Sequence, residues 1–184
     1  HPPVITFAGF APQWTQLAPT GPTPTPRSHV SSAYDQVNDR MIVFAGVQPG
    51  DRKTNEVWVL INAAGRAGPP EWQKLAPTGT LPSPRHIAMT AYDATANRLI
   101  MHGGCPENCG TAFVDTWVLT NANGLGGTPE WIQQPSGTSD LTAGHAYDPI
   151  TNRLILFGGA TPAAPFNDTS AVRVLVDANG IGEP

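Results

Sequence analysis

The sequence predicts an all-β fold made of three copies of one four-stranded unit. Three observations carry this. The 184 residues include 20 Pro and 19 Gly, near double the usual share, and both residues penalise helix interiors. The apolar runs are strand-length rather than helix-length. The same residues also recur in the same order three times. A hydrophobic fraction of 40%, with 5 Trp, 6 Phe and 3 Tyr, is enough to build a core. A net charge of -4 leaves no basic footprint for nucleic acid. No apolar run approaches the ~18 residues of a membrane-spanning helix. No secretory leader is visible, though a mature chain would have lost one.

Each copy opens on a tryptophan. Trp14, Trp72 and Trp131 stand 58 and 59 residues apart. The first two are followed by Leu-Ala-Pro-Thr-Gly, the third by a looser Gln-Pro-Ser-Gly. Arg27 and Arg85 come 13 residues after their Trp, and the shorter third copy has Asp140 there. Tyr34, Tyr92 and Tyr147 are each followed by Asp, and six residues after each Tyr stands an Arg: Arg40, Arg98 and Arg153. An apolar run ending in Gly comes next. Trp58 and Trp117 then sit in Trp-Val-Leu, which the third copy weakens to Arg173-Val-Leu175.

These segments read as strands in order. A first strand falls around 28–34, 86–92 and 142–147. A hairpin rich in Asn and Asp follows Tyr-Asp. The runs at 40–45, 98–103 and 153–158 read as strands buried on both faces. The Gly after each allows a sharp exit at positive φ. Strands near 56–61, 114–120 and 171–176 alternate large apolar residues. An Asn- and Gly-rich turn leads to the next Trp strand. The organisation is an arm at 1–13 and repeats at 14–71, 72–130 and 131–184, all in one domain.

The order Pro-Arg, Tyr-Asp, Asn-Arg, apolar run with Gly-Gly, Trp-Val-Leu, Trp resembles the kelch repeat, from Trp14 to Pro184. The resemblance implies one four-stranded β-propeller blade per copy. It differs in a longer period and in the varying offsets of His29, His86 and His145. Propellers of this family include adaptors, adhesins and a few enzymes.

Propellers close with about four to eight blades, so three copies imply an incomplete ring. The ends are offset by one strand: Trp14 begins an outer strand without its blade, and the last blade lacks its outer strand. Each end then leaves unpaired backbone and an open apolar face. Head-to-tail pairing of two chains would satisfy both as a homo-oligomer, either a six-bladed ring or a filament. The residues expected at this assembly are Trp14, Val172, Val174 and Leu175, with Val4, Ile5, Thr6 and Phe7 of the N-terminal arm. That arm copies Met-Ile-Val-Phe-Ala-Gly from 41. It reads as a donor strand for a neighbour's sheet, or as a remnant or edge strand on its own chain. Trp72, Trp131, Trp58, Trp117, Arg27, Arg85, Tyr34, Tyr92 and Tyr147 are expected to be structural, with the arginines binding carbonyls or the Tyr-Asp carboxylates.

Chemistry-bearing residues are few. Cys105 and Cys109 flank Pro-Glu-Asn and read as a small loop disulfide, which places the protein outside the cytosol. A metal would need His102 and Glu107 in support. Copper-radical chemistry on this kind of propeller needs two His, two Tyr and a Cys crosslinked to one Tyr, a set that His1, His29, His86, His102, His145 and the paired cysteines do not supply. His102 stands where Phe44 and Phe157 stand and reads as a buried strand residue. An N-terminal His1 can chelate copper but reads as a trimmed terminus. Asn121-Ala-Asn-Gly124 and Asp177-Ala-Asn-Gly180 could offer oxygens to Ca²⁺ but read as turns, so no cofactor is expected. Asn167-Asp-Thr169 is a glycosylation sequon in an expected loop. No nucleophile motif, phosphate loop or dinucleotide fingerprint is present.

The functional expectation is a non-enzymatic extracellular structural or adhesive module that assembles head-to-tail. The alternatives are a propeller fragment recognising a protein or glycan ligand, and a secreted carbohydrate-active or copper-oxidase-like enzyme.

Overall fold

The computed structural model describes residues 12–106, 109–135, 137, 141–161 and 167–182. In chain order its strands are β1 (Ser31–Asp35), β2 (Arg40–Phe44), β3 (Val47–Gln48), β4 (Arg52–Lys53), β5 (Val57–Ile61), β6 (Glu71–Lys74), β7 (Thr78–Gly79) and β8 (Met89–Asp93). They continue as β9 (Arg98–His102), β10 (Thr116–Thr120), β11 (Glu130–Gln134), β12 (Gly144–Asp148), β13 (Arg153–Phe157), β14 (Ala160–Thr161), β15 (Asn167–Asp168) and β16 (Val172–Val176). No helix occurs among the described residues.

Three main sheets form, in the orders β1-β2-β5-β6, β8-β9-β10-β11 with β7 on the outer edge, and β12-β13-β16. The large strands pair antiparallel within each sheet. Trp72 and Trp131 lie on the fourth strands of the first and second sheets. The sequence repeat and the sheet are therefore out of phase by one strand, and the third sheet has three strands. No strand pairing joins it to the first sheet among the described residues.

Local chemistry sets each hairpin. Asp35 Oδ1 accepts from the backbone N–H groups of Val37 and Asn38, and Asp93 does the same with Thr95 and Ala96. The residue just before the Arg sits at positive φ in all three copies: Asp39 at 51°, Asn97 at 51° and Asn152 at 51°. Asp and Asn tolerate that region best among residues with a side chain.

The Thr-Gly that follows the Trp strand crosses to the next sheet. Thr78 and Gly79 pair parallel with Glu130 and Trp131, as Thr20 bridges Glu71. Gly79 has φ 79°, and a Cβ there would stand 2.7 Å from the Trp131 carbonyl oxygen. Glycine is what lets this strap lie flat on the outer strand. The outer strand expected at Trp14 does not form. Residues 12–19 form no strand and Trp14 is fully exposed. An isolated strand has no ladder to hold it.

Apolar side chains alternate to opposite faces and cement neighbouring sheets. Ile42, Phe44, Val57 and Val59 of the first sheet pack on Leu99, Met101, Trp117 and Leu119 of the second, with the Phe44 and Trp131 rings 5.1 Å apart. Met89, Ala91 and Ile100 of the second pack on Leu154 and Leu156 of the third. His102 and Thr116 occupy this second junction as a buried hydrogen-bonded pair, Nδ1 to Oγ1 at 2.9 Å.

The run at 153–158 was expected to be buried on both faces. Only one face is covered. Leu154 and Leu156 are buried, while Phe157 is 59% and Val174 50% exposed, because no other sheet packs on that face among the described residues.

Candidate functional site

A repeated polar latch ties each sheet to the next. At the first junction Asp35 Oδ2 accepts from Asn123 Nδ2 at 2.7 Å and from the Tyr92 hydroxyl at 3.2 Å. Arg40 donates to the Asn123 carbonyl at 2.9 Å. Asn97 braces the receiving side, accepting from Tyr92 and donating to the Asn123 side chain. At the second junction Asp93 Oδ2 accepts from Asn179 Nδ2 at 2.6 Å and from Tyr147 at 3.4 Å, Arg98 donates to the Asn179 carbonyl, and Asn152 plays the part of Asn97.

The Asp35 carboxylate is ionised at neutral pH. Burial would raise Asp35, but the amide of Asn123 and its own hairpin bring it below the ordinary value. Burial and the adjacent Asp charge push Tyr92 well above the ordinary tyrosine value, and Tyr147 up to about 12. Both phenols stay protonated as donors.

The latch is half-made at both outer faces. On the third sheet Asp148 accepts from its own Ile150 and Thr151. No group of another sheet reaches it among the described residues. Around it Ile155, Phe157, Val172, Val174 and Val176 are 39 to 66% exposed. The same positions in the first sheet are Ile42, Phe44, Val57, Val59 and Ile61, of which the first four are at most 1% exposed. On the first sheet the receiving positions hold Asp39 for Asn97 and Ala64 for Asn123. Tyr34 donates to Asp39 at 2.8 Å, and the charge of Arg66 acts on both. A shallow groove lies there, lined by Ser32, Tyr34, Met41, Ala63 and Ala64.

The sequence offered Arg27 and Arg85 carbonyls or the Tyr-Asp carboxylates; they donate to carbonyls, Arg27 to Thr25 and Ala45 and Arg85 to Ser83 and Gly103, and do not reach those carboxylates. Each pairs with the acid two residues before the Trp of its own sheet. Arg27 meets Glu56 at 2.7 Å. Arg85, fully buried, meets both oxygens of Asp115 at 2.7 and 2.8 Å and the Gly103 carbonyl at 2.8 Å. Lys74 also pairs with Glu56. Burial works against these acids, yet their partners hold Asp115 below its ordinary value and Glu56 at about 2. The next-sheet contacts belong instead to Arg40 and Arg98. Periodicity alone could not decide this, because both arginine sets recur in phase.

Trp58, Trp117 and Trp131 are buried and Trp72 is partly buried, with Trp58 edge-on to Trp72. Val172 and Val174 lie on the open face. Leu175 does not: it packs on the second junction, because adjacent strand residues point to opposite faces. Asn167 lies in the short β14–β15 ribbon rather than a loop. Val4, Ile5, Thr6 and Phe7, with the rest of the arm through residue 11, and His1, Glu107 and Asp140, lie outside the described residues.

Cys105 and Cys109 form a disulfide. The histidine beside it is His86, not His102, which is committed to the second junction. His86 Nε2 lies 3.5 Å from Cys105 Sγ and 3.4 Å from Cys109 Sγ. Burial, then the charge of Lys53, holds this imidazole below its ordinary pKa. No sequence signal pointed to His86: the Arg85 ion pair anchors the chain where His86 bridges Cys105 in backbone pairing.

Comparison with known proteins agrees with this architecture. A sequence family described as the KLHDC2/KLHL20/DRC7 Kelch-repeats domain matches residues 5–135. The serine/threonine-protein phosphatase BSL2 of Arabidopsis thaliana is 32% identical over 97% of this chain and 17% of its own length. The Rab9 effector protein with kelch motifs of Bos taurus is 34% identical over 50% of this chain and 23% of its own. The chain thus spans less than a quarter of either relative. Among solved structures, YjhT superposes with a TM-score of 0.60 at 16% identity, over 85% of this chain and 47% of that one. This likeness concerns the fold alone.

Proposed function

The chain belongs to the kelch-repeat family, and from that premise we propose that it is a non-enzymatic protein-interaction module that binds through the open face of its third sheet. The observation that carries this is positional. The residues that are buried at the first junction recur, equally apolar, on the third sheet and face solvent. Such a face on a monomer marks an interaction surface. Asp148 at its inner end repeats Asp35 and Asp93, so the fitting partner is another kelch sheet offering a tyrosine hydroxyl and an amide donor.

A second reading is head-to-tail association of two copies, which would set the third sheet of one on the first sheet of the other. The opposite charges of Asp39 and Arg66 near one another favour it. With one positive and one negative group in place of Asn97 and Leu125, the receiving face stays neutral, and Tyr34 remains to meet Asp148. The disulfide supports an extracellular setting for either reading.

Sedimentation velocity of the purified chain and of Phe157→Asp tests both. A concentration-dependent species of twice the mass, lost in the variant, supports head-to-tail pairing. A monomer that binds an apolar dye, with binding lost in the variant, supports an open face awaiting a different kelch sheet. A monomer that binds no dye overturns the interaction surface.

A further inference from the structure

We propose that, once its disulfide is reduced, Cys105 and Cys109 together with His86 form a Zn²⁺ site of two thiolates and one imidazole. The three ligand atoms lie within 4.8 Å of one another. Zinc bonded at about 2.3 Å to sulfur and about 2.1 Å to nitrogen sets tetrahedral S···N edges of about 3.6 Å. His86 Nε2 already stands 3.5 and 3.4 Å from the two sulfurs. The nitrogen is thus placed for the metal. Only the sulfurs must part, to about 3.8 Å.

The frame suits two of the ligands to stay and the third to move. His86 and Cys105 are locked as neighbours, each donating its N–H to the other's carbonyl at 3.1 Å. Both are buried, Cys105 completely. Behind them Arg85 is held by Asp115 and the Gly103 carbonyl. Cys109 is partly exposed and follows Cys105 by four residues, a spacing with three intervening residues that is within that of zinc-binding cysteine pairs. It can swing while the other two hold. Its exposure leaves the fourth position to water, the open coordination of a site with three protein ligands. Lys53 acts on His86 through its charge but is itself paired with Asp51 at 2.8 Å, which offsets part of its repulsion of a cation.

The chemistry balances with a small-molecule thiol as reductant. Two thiols deliver two electrons and two protons to the Cys105–Cys109 bond, giving two cysteine thiols and one external disulfide. Zn²⁺ then displaces both thiol protons to solvent. The loop is cross-linked in either state, by sulfur in an oxidising setting and by metal in a reducing one.

The test uses the full chain in reduced and oxidised forms, with Zn²⁺ titrated against a chromophoric chelator. The reduced chain is expected to bind one equivalent. The oxidised chain and Cys105→Ser are expected to bind none. His86→Ala is expected to weaken binding at least about tenfold, the scale seen even for residues outside the first coordination sphere, and His102→Ala to leave it unchanged. Co²⁺ added to the reduced wild-type chain supplies a readout that needs no variant to fold: a thiolate-to-cobalt charge-transfer band. Absence of that band, or equal Zn²⁺ affinity in the reduced and oxidised chains, overturns the proposal.

Discussion

Asp35 and Asn123 stand 88 residues apart in the chain, and the Asn123 amide donates to the Asp35 carboxylate at 2.7 Å. The pair joins the inner hairpin of the first sheet to the outer turn of the second. Asp93 and Asn179 repeat it one sheet on at 2.6 Å.

Removing the donor strands a buried acid. Asn123→Ala is expected to cost about 1–3 kcal/mol, read as a lower urea midpoint, and Asn179→Ala about as much. Asn38→Ala, at the solvent side of the same carboxylate, should cost less. Equal losses at all three would mean that burial of Asp35 does not set the scale.

Arg85 is the most demanding cation in the chain. Its side chain is fully buried, and Asp115 takes both ends of the fork. Arg85→Met is expected to cost about 3–5 kcal/mol by leaving Asp115 without its partner. Arg85→Lys should recover little, since an ammonium cannot span both oxygens. Changing Arg85 to Met and Asp115 to Leu together should cost less than the Arg85 change alone. A thermal denaturation series measures all three.

Acid should loosen the sheets. Glu56 has an ordinary value of 4.5 and is held at about 2 in the folded chain. Its contribution is therefore whole above about pH 4.5 and is lost as pH falls toward 2. Glu56→Gln is expected to flatten the acid limb of a stability-versus-pH curve. At the other end Tyr147, raised to about 12, contributes fully below pH 10 and is lost as pH rises through 12. Tyr147→Phe should flatten that limb.

Gly79 and Gly50 share a positive φ, 79° and 77°, but not their surroundings. A Cβ at Gly79 meets the Trp131 carbonyl oxygen at 2.7 Å, whereas at Gly50 nothing lies within 4 Å. Gly79→Ala should therefore destabilise more than Gly50→Ala, which carries only the φ penalty of about 1 kcal/mol. Denaturant midpoints for the two variants check the order.

The open face should tolerate charge. Val174→Lys is expected to change stability by less than about 0.5 kcal/mol, because Val174 is 50% exposed, and to lower apolar-dye binding. Val59→Lys, at the equivalent position of the first sheet with 0% exposure, should unfold the chain.

The repeat made the all-β class, the strand order and the one-strand offset legible before any coordinates, because each rests on local spacing. Tyr-Asp, Asn-Arg and the Thr-Gly strap each carry their own turn or strand chemistry. Which acid an arginine meets was not legible: Arg27, Arg40, Arg85 and Arg98 recur with the same period, and only the stacking of sheets sends Arg40 and Arg98 to the next sheet and Arg27 and Arg85 to their own. The side of a strand was misjudged once, at Leu175, where one residue of register reverses the face.

The candidate site follows the same division. The cysteine pair announces itself in sequence, but its histidine comes from 19 residues upstream. An isolated backbone bridge between His86 and Cys105 decides that partner, and no spacing encodes it. The sequence by itself determined the unit, its number and its turns, since these depend on residues near one another in the chain. Tertiary structure alone decided the latches, the His86 placement and the exposed third sheet, since each depends on which surfaces meet.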